Sequence, residues 1–157
     1  MYQELIGRAT ALCGEKNFVV NAANVAAMIL DEVDNLNWAG VYIWTGRELL
    51  LGPFAGKPAC VRIAPGKGVC GAAATRRETV VVRDVHEFPG HIACDAASNS
   101  EIVVPLIKDG ELYGVLDIDS PLKDRFHPAE VQAFEAIARA LMEFSDMESI
   151  REYYSKY

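Results

Sequence analysis

Ile102-Val103-Val104-Pro105-Leu106-Ile107-Lys108-Asp109-Gly110-Glu111-Leu112-Tyr113-Gly114-Val115-Leu116-Asp117-Ile118-Asp119 reads as two strands joined by a tight turn, and its register decides how the rest is read. A three-residue loop, Lys108-Asp109-Gly110, fits a type I turn with Gly110 in the left-handed position. That register pairs Ile107 with Glu111 and Glu101 with Asp117. It gathers Ile102, Val104, Leu106, Leu112, Leu116 and Ile118 on one apolar face. Slipping the pairing by one residue would flip every side chain and scatter that face. The other face then carries Glu101, Asp117 and Asp119, so three carboxylates share one side of a sheet.

Working outward, Trp38-Ala39-Gly40-Val41-Tyr42-Ile43-Trp44 is aromatic and β-branched and reads as a further strand. Its alternation separates Ala39, Val41 and Ile43 from Trp38, Gly40, Tyr42 and Trp44, which form an aromatic wall. Shorter strands are expected over Glu48–Gly52, Ala59–Ile63 and Thr79–Val82, and a short helix over Val69–Arg76. Helical spacing marks residues 1–13, then Phe18 to Leu36 through Ala22, Val25, Ala26, Ile29 and Val33. Pro128 to Phe144 is a third amphipathic stretch, with proline in its first turn. The charged, tyrosine-bearing residues 145–157 suit a helical continuation. This pattern predicts an α+β fold over residues 1–157 as one domain, with a mainly antiparallel six-stranded sheet. Helices cover one face, and an active-site loop covers the other.

Composition narrows the function. A net charge of −7 with no basic stretch argues against nucleic acid. No apolar run reaches the roughly 18 residues of a membrane span, and the first residues lack a secretory signal. A cytoplasmic protein is expected, in which four cysteines serve as thiols and not as a permanent disulfide frame. Cys94 stands out, because it sits among small and polar residues in a long loop after Pro89-Gly90, where reactive thiols are found. Cys13 falls on an apolar helix face and reads as packing. No C-x-x-C or H-x-x-H pair prepares two metal ligands, so neither a metal nor a cofactor is expected. Pro65-Gly66-Lys67-Gly68-Val69 lacks the spacing of a phosphate loop.

Thiol redox chemistry suits these residues: an attacking thiol at Cys94, a second at Cys60 or Cys70, and acids to manage protons. Carboxylates crowded on one concave face repel, so one of them should keep a proton near neutrality.

Several stretches resemble the free methionine-R-sulfoxide reductases, GAF-domain enzymes that act on the free amino acid. They are Leu36-Asn37-Trp38-Ala39-Gly40-Val41-Tyr42, Gly52-Pro53-Phe54 with Cys60-Val61-Arg62-Ile63, and Gly66-Lys67-Gly68-Val69-Cys70-Gly71. His91-Ile92-Ala93-Cys94-Asp95-Ala96-Ala97-Ser98-Asn99-Ser100-Glu101 and Gly114-Val115-Leu116-Asp117-Ile118-Asp119-Ser120 complete the set. The resemblance runs from about Gln3 to Phe144. It implies Cys94 as the catalytic thiol, Cys60 as the main resolving thiol and Cys70 as an auxiliary one. It also implies substrate contacts from Trp38, Tyr42, Glu101, Asp117 and Asp119.

The residues themselves suit such a substrate. Trp38 and Tyr42 offer an apolar wall for its methyl group, and the acids, Glu101 and Asp119 among them, can hold its ammonium and protonate the departing oxygen. Backbone N–H groups around Ile92, Ala93 and Cys94 can take its carboxylate. A thioredoxin-like reductant would reopen the resulting disulfide. Assembly as a homodimer stays open. The alternative is a GAF sensor domain that binds a small ligand and does no chemistry.

Overall fold

The computed structural model of the chain describes residues 2–91 and 96–157. Two helices come first, α1 (Tyr2–Leu12) and α2 (Phe18–Glu32). Strands β1 (Trp38–Trp44), β2 (Leu49–Gly56) and β3 (Arg62–Ile63) follow, then helix α3 (Gly68–Arg76) and strand β4 (Val80–Val82). The hairpin β5 (Ser100–Lys108) and β6 (Glu111–Ser120) leads into helices α4 (Pro128–Phe144) and α5 (Met147–Tyr154). The six strands form one antiparallel sheet in the order β3-β2-β1-β6-β5-β4, the α+β architecture that the alternation predicts.

Strand alternation divides the interior into two cores. Ala39, Val41 and Ile43 of β1 join Ile102, Val104, Leu106, Leu116 and Ile118 against α1, α2 and α4, with Phe18, Ile29, Phe134, Ile137 and Leu141 buried between. Trp38 and Tyr42 project the other way and pack with Val103, Val115 and the α3 residues Val69, Cys70 and Ala73. The short α3 therefore lies on the site face beside the loops, opposite the three larger helices.

Four local expectations need correction. The hairpin turn has two residues, because Asp109 (φ 52°) and Gly110 (φ 77°) are both left-handed and Lys108 pairs with Glu111. That is the Asp-Gly geometry matching strand twist. A bulge restores the face parity that such a turn would break: Ile107 pairs with Leu112 but Leu106 with Gly114, leaving Tyr113 as the extra residue. Glu101 consequently faces Asp119 and not Asp117. Leu112 turns to the site side of the sheet, and Tyr113 takes its place on the helix side. At the bulge β6 lies so close to β1 that a Cβ on Gly114 would stand 2.1 Å from the Tyr42 carbonyl oxygen.

The second concerns β2, which continues past Gly52 to Gly56. Pro53 sits where the β1 register shifts between Gly40 and Tyr42, a bulge that tolerates its missing N–H. The third is β3, which keeps only Arg62 and Ile63; Ala59 and Cys60 lie outside the ladder. The fourth is α2, which stops at Glu32 because Val33 turns extended, although Leu36 still packs on the core. Residues 145–157 begin a separate helix, capped by Asp146 accepting the Ser149 N–H. No described helix is long and apolar enough to cross a membrane.

Candidate active site

The antiparallel registers set the candidate residues side by side. Trp38 of β1 stands opposite Asp119 of β6, and Asp119 stands opposite Glu101 of β5. One row along, Gly40 faces Asp117, and Asp117 faces Val103. Facing residues in antiparallel strands have Cβ atoms about 4.5–5.5 Å apart, so one aromatic ring and three carboxyl groups occupy neighbouring places on one surface. A partly enclosed cavity of about 50 Å³, counted as space open to the centres of water molecules, lies over this surface. Its lining includes Trp38, Tyr42, Cys70, Glu101, Asp117 and Asp119.

The aromatic wall has a second role that strand alternation does not reveal. Trp38 stacks on Phe54 with ring centroids 5.3 Å apart and on Tyr42 at 6.0 Å. Its indole N–H donates to the Lys57 carbonyl at 3.0 Å, and the Tyr42 hydroxyl donates to the Cys60 carbonyl at 2.9 Å. The polar ends of both rings thus hold the segment that carries Cys60. Cys60 is disulfide-bonded, whereas Cys13 and Cys70 are free thiols. Cys13, one residue past the end of α1, is buried in the helix-side core, the packing role expected of it. Cys94, Ile92 and Ala93 lie outside the described residues.

The acids are almost wholly removed from water, with Glu101 7%, Asp117 6% and Asp119 9% exposed. Burial pushes the Glu101 carboxyl well above the usual range, and the charges of Asp117 and Asp119 push it further. Burial also raises Asp117, but hydrogen bonds with Glu101 and Cys70 hold that shift back. Glu101 is therefore the group that keeps a proton beside an Asp117 carboxylate. The Cys70 thiol, 3.9 Å from Glu101 Oε1, is pushed up by burial and by the same carboxylates, so it is not a reactive thiolate. Tyr42 is likewise raised by burial and then by the acids.

Lys67, Gly68, Val69 and Cys70 also line the cavity. They are the cap and first turn of α3, and Lys67 supplies no side-chain cap. First-turn N–H groups, which have no partner within the helix, and the positive end of the helix dipole make this wall attractive to an anion. Sequence reasoning missed it, although the signal was a glycine-rich turn followed directly by a helix. Lys57, His91 and Ser98 also border the cavity.

Comparison with known proteins agrees with this geometry. The GAF domain family model matches residues 19–143. Free methionine-R-sulfoxide reductase of Escherichia coli is 47% identical over 130 residues, 83% of this chain and 79% of that one. The structure of fRMsr of Staphylococcus aureus in complex with substrate superposes with a TM-score of 0.86 at 48% identity, covering 90% of this chain and 94% of that one. A Burkholderia vietnamiensis protein described as a GAF sensor superposes at 0.89 with 53% identity, covering 96% of both chains. The chain belongs to the GAF-domain family of free methionine-R-sulfoxide reductases.

Proposed function

We propose that this protein reduces free L-methionine-R-sulfoxide to L-methionine, with Cys94 as nucleophile, Cys60 as resolving thiol and Cys70 as an auxiliary thiol. The observation that carries this reading is the buried row of Trp38, Asp119 and Glu101, in which Glu101 keeps a proton. The substrate's methyl group lies against Trp38 and Tyr42. Its ammonium meets Asp117 and Asp119, and its carboxylate meets the first turn of α3 or the backbone at Ile92 and Ala93.

Cys94 thiolate attacks the sulfoxide sulfur while a proton passes from Glu101 to the oxygen. The S–O bond breaks as the hydroxyl passes to the Cys94 sulfur, and the S–S bond formed by the attack opens with its electron pair returning to the substrate sulfur. Methionine leaves while Cys94 becomes a sulfenic acid. Cys60 attacks the Cys94 sulfur, water departs and a disulfide remains, which a thioredoxin-like dithiol reduces. The disulfide-bonded state of Cys60 beside free Cys13 and Cys70 supports the assignment of Cys60 to the resolving step. We read residues 1–157 as one domain working in the cytoplasm, and a homodimer as its candidate assembly.

A non-catalytic GAF sensor would share the cavity, and the Burkholderia vietnamiensis relative lends that reading its support. It has no use for redox-active thiols. The deciding measurement compares free L-methionine-R-sulfoxide, the free S epimer and an N-acetylated, C-amidated sulfoxide with thioredoxin as reductant. Turnover confined to the free R epimer is expected. A blocked compound lacks the ammonium that the acids would pair, and a site built for a charged group rejects such an analogue. Comparable rates on the blocked compound would overturn the roles given to the acids, and no turnover of any of the three would favour the sensor.

A further inference from the structure

Three donor groups converge at the floor of the cavity from separate elements: Cys70 of α3, Glu101 of β5 and Asp117 of β6. One ligand atom of each lies within 4.8 Å of the other two, and all three residues are buried. Asp117 is more than nine-tenths buried and borders the cavity. Its Oδ1 atom meets no hydrogen-bond donor among the described residues. An anionic oxygen so placed gains most from a cation held in the same enclosure.

We propose that Cys70, Glu101 and Asp117 form an inhibitory site for a thiophilic divalent cation of the zinc class, whose binding closes the cavity to methionine sulfoxide. One thiolate and two carboxylates make a three-ligand set that leaves a fourth, open position toward the cavity, as zinc accepts. Donors on a tetrahedral zinc ion stand roughly 3.3–3.6 Å apart, given bonds of about 2.3 Å to sulfur and about 2.0–2.1 Å to oxygen. The present separations, at most 4.8 Å, exceed these by no more than about 1.5 Å. Calcium and magnesium, which want six or more oxygens or several retained waters, fit this set poorly. Binding sends the thiol proton of Cys70 and the carboxyl proton of Glu101 into solvent. The ion then occupies the acid pocket that the substrate's ammonium would use. No sequence spacing announces the site, because its ligands come from positions 70, 101 and 117.

Only the inhibitory half rests on the reductase reading; binding is measured without turnover. The probe is cobalt(II), added to the full chain and followed by its near-ultraviolet thiolate band, with zinc then displacing it. One ion per chain is expected, with the band kept in Cys13→Ser and in the Cys60→Ser, Cys94→Ser double variant. The band should vanish in Cys70→Ser and Cys70→Ala. Glu101→Gln should weaken zinc binding by at least about tenfold, since even outer partners of metal ligands are worth that much. Far-ultraviolet circular dichroism confirms that each variant is folded. An unchanged band in the folded Cys70 variants, or its loss only when Cys60 and Cys94 are removed, overturns the site. Zinc affinity in the double variant should fall as free methionine sulfoxide is added. Indifference to the sulfoxide overturns the inhibitory role. A wild-type chain that binds cobalt but turns over no sulfoxide would instead count against the reductase reading alone.

Discussion

Replacing Glu101 by Gln should change how stability depends on pH. In the folded chain the Glu101 carboxyl lies well above its usual range, through burial first and the neighbouring charges of Asp117 and Asp119 second. In the unfolded chain it returns to about 4.3. Between those two values the native state binds the extra proton. The contribution of Glu101 is fully present below the unfolded value and is lost as pH rises through the folded one. The slope is at most about 1.4 kcal/mol per pH unit for one group. A chain of 157 residues has an unfolding entropy of roughly 0.33 kcal/mol/K, so that slope corresponds to about 4 °C in Tm per pH unit. Glutamine keeps the shape and has no proton to lose. Melts followed by calorimetry from pH 5 to 8 at constant ionic strength should therefore show wild type falling away from Glu101→Gln as pH increases. Asp84, Asp146 and Glu130 are shifted down and titrate identically in both chains, so they cancel. Parallel Tm curves would refute the claim that Glu101 holds a proton in the site.

Cys94→Ser should abolish turnover, whereas Cys60→Ser should release about one methionine per chain without reductant; repeated turnover by Cys94→Ser, counted by chromatography, would refute the assignment. Trp38→Ala removes the wall for the methyl group and should raise KM for free methionine-R-sulfoxide roughly tenfold or more. Trp38→Phe keeps the wall but loses the hydrogen bond to Lys57, so its KM should stay near wild type while the Cys60 step slows in rapid mixing. Gly114→Ala puts a methyl group 2.1 Å from the Tyr42 carbonyl oxygen; forcing β1 from β6 should cost about 1–3 kcal/mol, or roughly 3–9 °C in Tm, and an unchanged melt would refute that close approach.

Side-chain alternation was enough to assign faces. It separated Trp38 and Tyr42 from Ala39, Val41 and Ile43, and it put Glu101, Asp117 and Asp119 together. Beyond the bulge it could not choose between registers that differ by two residues, because both keep the faces of residues 101–106 and 114–119; only Leu112 and Tyr113 exchange sides. Lys108-Asp109-Gly110 suits either loop length, and the choice fell to the Asp-Gly pair with a bulge at Tyr113. Glu101 then gained Asp119 as its partner. The anion-attracting wall was hidden for a different reason. Its donors are backbone N–H groups at Gly68, Val69 and Cys70, and such groups leave no residue-type signature beyond the glycine turn before them. The strand expected over Ala59–Ile63 keeps only Arg62 and Ile63, because two ladder pairs are all that this edge supports.

The two-faced sheet has an evolutionary consequence. Along β1 the even-numbered positions Trp38 and Tyr42 touch the cavity while the odd-numbered ones hold the helices; along β5 and β6 the parity reverses, with Glu101, Asp117 and Asp119 odd and Ile102, Val104, Leu116 and Ile118 even. Selection for a new ligand and selection for persistence of the fold thus act on interleaved but separate sets of codons. A lineage can exchange the odd acids and the even aromatics for other chemistry while the layer that makes it a folded chain is inherited intact.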